Sequence, residues 1–135
     1  SDVYKRQVPA WISYSGRDGA HVSAGQAAGA AAAAAAAGPS VVAVGVNCTP
    51  PEHVDSLLAA MAAGAPGMPL VAYPNAGRTW DAAGECWLGE GADTLPDAVV
   101  AGWVARGADL VGGCCGLGPA AVADVAAVTA GLRPR

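Results

Sequence analysis

Four short apolar runs, each followed by a stretch of helical character, constrain this chain of 135 residues more than any other feature. They begin near residues 11, 41, 69 and 109. Trp11-Ile12-Ser13-Tyr14-Ser15 alternates in period two, as a half-buried strand does. Residues 41–46 contain only Val, Ala and Gly, continuous enough for a strand buried on both faces. Leu70-Val71-Ala72-Tyr73 and Asp109-Leu110-Val111 complete the set.

The intervening stretches read as helices. Residues 26–37 are almost all Ala, the best helix former, and Gly38-Pro39 supplies a stop. Thr49-Pro50-Pro51-Glu52 has the form of a capping box with Pro at the first helical position. Val54, Leu57, Leu58 and Met61 then form one apolar stripe, and Gly64 closes the helix. A third helix is expected from Thr94-Leu95-Pro96-Asp97 to Gly107, with Val100, Trp103 and Val104 on one face. A fourth opens at Gly118-Pro119, carries Val122, Val125 and Thr129 in register, and ends at Gly131. Residues 74–94 read as one long Gly-rich loop, and loops of that length in compact domains usually serve function.

Repeated strand–helix units wind right-handed and parallel, so the loops after the strands share one face. Four units make half of an eightfold barrel, which typically takes roughly 250 residues. They also suit a small open, doubly wound sheet, and periodicity does not choose between the two.

Composition narrows the function classes. A net charge of -4 argues against nucleic-acid or anionic-membrane partners. The Ala-rich stretch is too short and too weakly apolar to span a bilayer, and no signal-peptide pattern is present. The expected location is the cytoplasm, where the four cysteines would be reduced. Residues 1–7 (SDVYKRQ) hold two of the seven basic residues and no Ala or Gly, which marks them as a non-native leader. The domain proper is expected over residues 8–135.

Cys48 follows the second apolar run directly, and the vicinal pair Cys114-Cys115 follows the fourth within Gly112-Gly113-Cys114-Cys115-Gly116. Vicinal side chains in a regular strand point to opposite faces, so a shared ligand role requires the pair to sit just past the strand. The flanking glycines allow that. Three cysteines on one face with no histidine among them suit a thiolate zinc site with one position open, where a substrate thiol can ionise near neutral pH. The competing readings are small buried apolar cysteines and a redox dithiol, which ranks lower because adjacent cysteines make a strained disulfide.

A family resemblance rests on these residues. Gly45-Val46-Asn47-Cys48-Thr49-Pro50-Pro51, Tyr73-Pro74-Asn75-Ala76-Gly77 and Gly112-Gly113-Cys114-Cys115-Gly116, in this order, resemble the C-terminal half of the homocysteine S-methyltransferase family. Trp11-Ile12-Ser13-Tyr14-Ser15 with Arg17-Asp18-Gly19 resembles the family's fifth barrel strand and the loop after it. The resemblance implies about four βα units of a (β/α)8 TIM barrel whose zinc is held by Cys48, Cys114 and Cys115. It implies methyl transfer from S-methylmethionine or S-adenosylmethionine to the zinc-bound thiolate of homocysteine, giving methionine. The Tyr-Pro-Asn-x-Gly element favours such sulfonium donors over betaine. The same motifs are similar to the homocysteine-binding module of cobalamin-dependent methionine synthase, and a non-catalytic zinc-binding half-barrel is a third reading.

The chain departs from the family pattern in three ways. Gly16 stands where a larger residue is expected, the Ala tract replaces a mixed apolar helix, and nothing corresponds to the first four strands. A fragment of this kind is expected to be inactive alone.

Other residues carry weaker signals. Asn47 and Asn75 sit at strand ends, where a side-chain amide could bind a substrate amino acid or shape a turn. Cys86 lies in the long loop without a partner and reads as a bystander. His21 and His53 are isolated and read as exposed. Trp80 and Trp87 shield the site or pack the loop, and Arg17-Asp18 is an ion pair or a substrate contact.

Overall fold

A computed structural model of the chain describes residues 8–132; the segment read as a leader lies outside them. The elements run β1 (Ala10–Tyr14), α1 (Ala28–Ala36), β2 (Val41–Asn47), α2 (Pro51–Gly64), β3 (Leu70–Tyr73), β4 (Thr79–Asp81), β5 (Cys86–Leu88), α3 (Asp97–Arg106), β6 (Ala108–Val111) and α4 (Pro119–Gly131). The four expected strands pair in parallel in the order β1-β2-β3-β6. A doubly wound sheet reverses its strand order part-way. This one runs straight through, so right-handed crossovers set α1, α2 and α3 on one face, and α4 packs there beside α3. That is the winding of a barrel wall.

The core lies between sheet and helices. Val44, Val46, Leu70, Ala72 and Ala108 of the strands meet Val54, Leu57, Leu58 and Met61 of α2, with Val100 and Trp103 of α3 and Val125 of α4. The α2 stripe read from the sequence is fully buried. Each such aliphatic side chain contributes about 1.5–3 kcal/mol relative to exposure. Across α2 and α3, Arg106 binds Asp55 through two hydrogen bonds of 3.0 and 2.9 Å. On the other face of the sheet, Tyr73 hydroxyl bonds Ser13 and accepts from Trp11 Nε1 at 3.4 Å. Tyr14, of opposite parity to Ser13, points to the helices and donates to Ala31 O at 3.2 Å. Trp11 and Leu110 remain half exposed on the outer strands β1 and β6. Among the described residues, no helix is long and apolar enough to cross a membrane.

The Ala tract does form a helix, but its packing is set by contact distance. Ala28, Ala31 and Ala32 are buried, and α1 approaches α2 so closely that a Cβ on Gly64 would lie 2.0 Å from Gly29 O. A mixed apolar helix of ordinary side chains would not fit that gap.

Four expectations are corrected. Thr49 makes no capping bond: Pro50 occupies the N-cap of α2 without a side-chain hydrogen bond. Instead Thr49 Oγ1 accepts from Gly16 N–H at 2.6 Å and donates to Asn47 O at 2.9 Å. Residues 74–94 are not a plain loop but contain the antiparallel hairpin β4–β5, closed by an edge-to-face Trp80–Trp87 pair with centroids 5.3 Å apart. Val122 is 42% exposed, and Ala121 with Val125 forms the buried face of α4. Gly16 has no room for the larger residue expected there, since a Cβ would fall 2.6 Å from Leu57 Cδ1.

The α1–α2 contact gives the first prediction. Gly64→Ala should destabilise the fold by about 1–3 kcal/mol through overpacking. Gly102→Ala, in open space on α3, should stabilise it by about 0.5–1 kcal/mol by lowering unfolded-state entropy. Urea unfolding of both variants measures the contrast; equal effects would mean the helices are not in close contact.

Candidate metal centre

The carboxyl ends of β2, β3 and β6 converge through main-chain hydrogen bonds that run past the strands. Cys48 N–H donates to Tyr73 O at 2.9 Å, one step beyond the last β2–β3 pair. Cys114 N–H donates to Pro74 O at 2.8 Å, and Cys115 O accepts from Ala76 N–H at 2.9 Å. Cys114 and Cys115 lie beyond the end of β6, in a turn closed by Leu117 N–H to Cys114 O at 3.0 Å with Gly116 at φ 83°. Cys48 itself has φ 44°, in the left-handed region that few non-glycine residues enter.

The outcome is one sulfur cluster. The Sγ atoms of Cys48, Cys114 and Cys115 all lie within 4.8 Å of one another, and those of Cys114 and Cys115 are 4.0 Å apart. Sulfurs on a tetrahedral zinc, at about 2.3 Å each, stand roughly 3.8 Å from one another. The observed spread closes to that value by small side-chain rotations, so the donor set fits a thiophilic ion. Burial foremost, then sulfur contacts with Cys115 and Cys114, push the Cys48 thiol up to about 12.

The cluster forms part of one wall of a cleft of about 830 Å³, reached by Cys48 and Cys115 and lined also by Asn47, Asn75, Arg17 and Arg78. Trp80 and Trp87 of the hairpin and Glu52 and His53 of the first turn of α2 complete its rim. Asn75 is 3% exposed, and both ends of its amide are engaged: Nδ2 donates to Cys48 O at 3.2 Å, and Oδ1 accepts from Gly77 N–H at 2.8 Å. Cys86, on β5, is exposed and outside the cluster. His21 is half-buried and pairs with Asp18 at 3.0 Å. Sequence reasoning did not single out Arg78, and it read Glu52 only as part of a capping box. The signal for Arg78 was its place directly after Tyr73-Pro74-Asn75-Ala76-Gly77, at the mouth of the third strand.

The family model described as homocysteine S-methyltransferase matches residues 2–129. The chain belongs to this family. It is 39% identical over 127 residues to homocysteine S-methyltransferase of Escherichia coli K12, covering 90% of this chain and 38% of that protein. Homocysteine S-methyltransferase YbgG of Bacillus subtilis is 34% identical over 124 residues, covering 92% and 39%. Among solved structures, the apo form of the homocysteine methyltransferase MmuM from Escherichia coli superposes with a TM-score of 0.70 at 33% identity, over 93% of this chain and 41% of that one. Its metallated form gives 0.70 at 34% identity, over 93% and 37%. The chain thus spans about two fifths of the length of these relatives. Its four βα units are a partial (β/α)8 barrel, and the cysteine cluster beside a metallated relative points to a metal.

Arg17 reaches the cleft from a loop that Asp18 organises. The Ala20 and His21 N–H groups, at 2.8 and 2.7 Å, are the main cause holding the Asp18 carboxyl down to about 2, and the His21 ring adds to this. A folded pKa below the ordinary 3.8 means the stabilisation is fully present above that value and is lost as pH falls through 2. The Asp18 carboxyl carbon resonance should therefore titrate near pH 2. A midpoint near 3.8 would contradict this loop geometry.

Proposed function

We propose that residues 8–135 are the C-terminal half of a zinc-dependent homocysteine S-methyltransferase, with Cys48, Cys114 and Cys115 as the metal ligands. The observation that carries this reading is the convergence of three thiols on the strand-end face, at one wall of a cleft large enough for an amino acid and its methyl donor. When bound there, zinc supplies a Lewis-acidic position at which a substrate thiol ionises near neutral pH.

The chain's own residues do the rest. The three cysteines supply the donors and leave tetrahedral zinc one position short of completion. Arg17 and Arg78 offer guanidinium groups to the carboxylate of an amino-acid substrate. Asn47, beside Cys48 in the cleft, offers an amide to its polar end. Trp80 and Trp87 bring aromatic surface to the same cleft, which suits a sulfonium donor such as S-methylmethionine or S-adenosylmethionine. They also limit the access of water to the sulfur nucleophile.

Loaded under reducing conditions, the chain should hold about one zinc, because three thiolates build one site. Cys48→Ser, Cys114→Ser and Cys115→Ser should each abolish stoichiometric binding, and Cys86→Ser should leave it unchanged. Binding should release protons and tighten as pH rises, since the ligands must be deprotonated. A barrel site draws on loops from many strands. Methionine formation from homocysteine and S-methylmethionine is therefore expected of a full-length family enzyme carrying this half and not of these 135 residues alone. Zinc retained without Cys114, or turnover by the short chain at the rate of the long one, would overturn the proposal.

A further inference from the structure

Thr49 and Asn75 are the buried polar side chains among the described residues, at 0% and 3% exposure. Both stand at the sulfur cluster. A buried polar group is tolerated when its hydrogen bonds are made, and these two side chains bond the strand-end segments after β1, β2 and β3. Thr49 Oγ1 ties Gly16 after β1 to Asn47 at the end of β2. Asn75 ties Cys48 to the turn after β3, and its own N–H donates to Thr49 O at 3.1 Å.

The four residues 73–76 consequently hold the cluster from two sides. Tyr73 O and Asn75 Nδ2 grip the N–H and the C=O of Cys48. Pro74 O and Ala76 N–H grip Cys114 N–H and Cys115 O. Three of these four bonds use the main chain of residues 73–76; the fourth needs the Asn75 side chain. Cys48 has left-handed backbone geometry, so its carbonyl direction, and with it the aim of its Sγ, depends on having a donor in that place. Close approach leaves no slack: a Cβ on Gly116 would stand 2.6 Å from Ala76 Cβ.

We infer that Asn75 is a positioning residue of the metal centre, whose Nδ2–H donation to the Cys48 carbonyl aims that cysteine at the other two sulfurs, and that it is not itself a substrate contact. The inference rests on the thiolate-site reading above. Groups of this kind, one bond removed from a metal ligand, typically alter metal affinity 10–100-fold when replaced.

Asn75→Asp separates this role from turn formation. The carboxylate keeps an oxygen to accept from Gly77 N–H but has no proton to give Cys48 O. Its added negative charge would by itself strengthen cation binding, so a loss of affinity has the opposite sign from the electrostatic effect. The probe is Co²⁺, followed through its thiolate charge-transfer absorption under chelator competition, with thermal unfolding of the metal-free variant as a measure of fold. We expect Asn75→Asp to weaken Co²⁺ binding tenfold or more and to alter the charge-transfer band, at a temperature where thermal unfolding shows both metal-free chains still folded; the buried carboxylate facing Cys48 O lowers the variant's unfolding temperature. Equal or tighter binding with an unaltered band would overturn the inference while leaving the three-thiolate reading intact. A parent chain that bound no Co²⁺ would remove both.

A second measurement needs no variant. In the parent chain, the Asn75 side-chain NH₂ protons should exchange slowly with solvent and shift in NMR spectra when Cd²⁺ is added. Fast exchange and unmoved resonances would also overturn the inference, and they would decide the matter should Asn75→Asp fail to fold.

Discussion

The arrangement at the strand ends depends on the β2–β3–β6 hydrogen-bond ladder continuing beyond the strands themselves. Parallel pairing aligns the carboxyl ends, but alignment alone would leave Cys48 and the vicinal pair on opposite sides of β3. The main-chain bonds from Tyr73, Pro74 and Ala76 carry the pairing two or three residues further. They draw the segment after β2 and the turn after β6 toward one line. Close packing elsewhere serves the same end. Gly45 could carry no side chain, because a Cβ there would fall 1.8 Å from Val71 O, and its absence lets β2 and β3 approach.

The three thiols of Cys48, Cys114 and Cys115 lie within 4.8 Å of one another at the strand ends. Burial foremost, and then sulfur contacts with Cys115 and Cys114, push the Cys48 thiol up to about 12, so a metal ion bound there must displace its proton. The main-chain bonds from residues 73–76 bring the three ligands to one place. The open edges of β1 and β6, with Trp11 and Leu110 half exposed, are the places where a barrel wall of this kind would continue.

Much of this was legible in the sequence, for definite reasons. The α2 stripe at Val54, Leu57, Leu58 and Met61 declares itself by periodicity, because burial acts on every residue of a face, and the strand at residues 41–46 by its unbroken apolar run. The placement of Cys114-Cys115 beyond the strand followed from the alternation of strand side chains. Other features rest on distances that no local pattern encodes. Thr49 has the sequence form of a cap, yet its hydroxyl binds Gly16, 33 residues away, because the β1 loop folds over the start of α2. Gly16 looked undersized until Leu57 was found against it. The β4–β5 hairpin was hidden in a Gly-rich stretch because its strands have three residues each, too few to show alternation. Asn75 carried the right emphasis, and only its hydrogen-bond partners show both amide ends committed within the scaffold.

The central claim is that Cys48, Cys114 and Cys115 together hold one zinc with a position left open. Zinc K-edge X-ray absorption on the zinc-loaded chain tests it most directly, because sulfur at about 2.3 Å and oxygen or nitrogen at about 2.0–2.2 Å are resolved as separate shells. The account predicts three sulfur neighbours and one lighter atom, with Cys86→Ser leaving the spectrum unchanged. Four sulfurs, or a sulfur shell that survives Cys48→Ser at full amplitude, would contradict it.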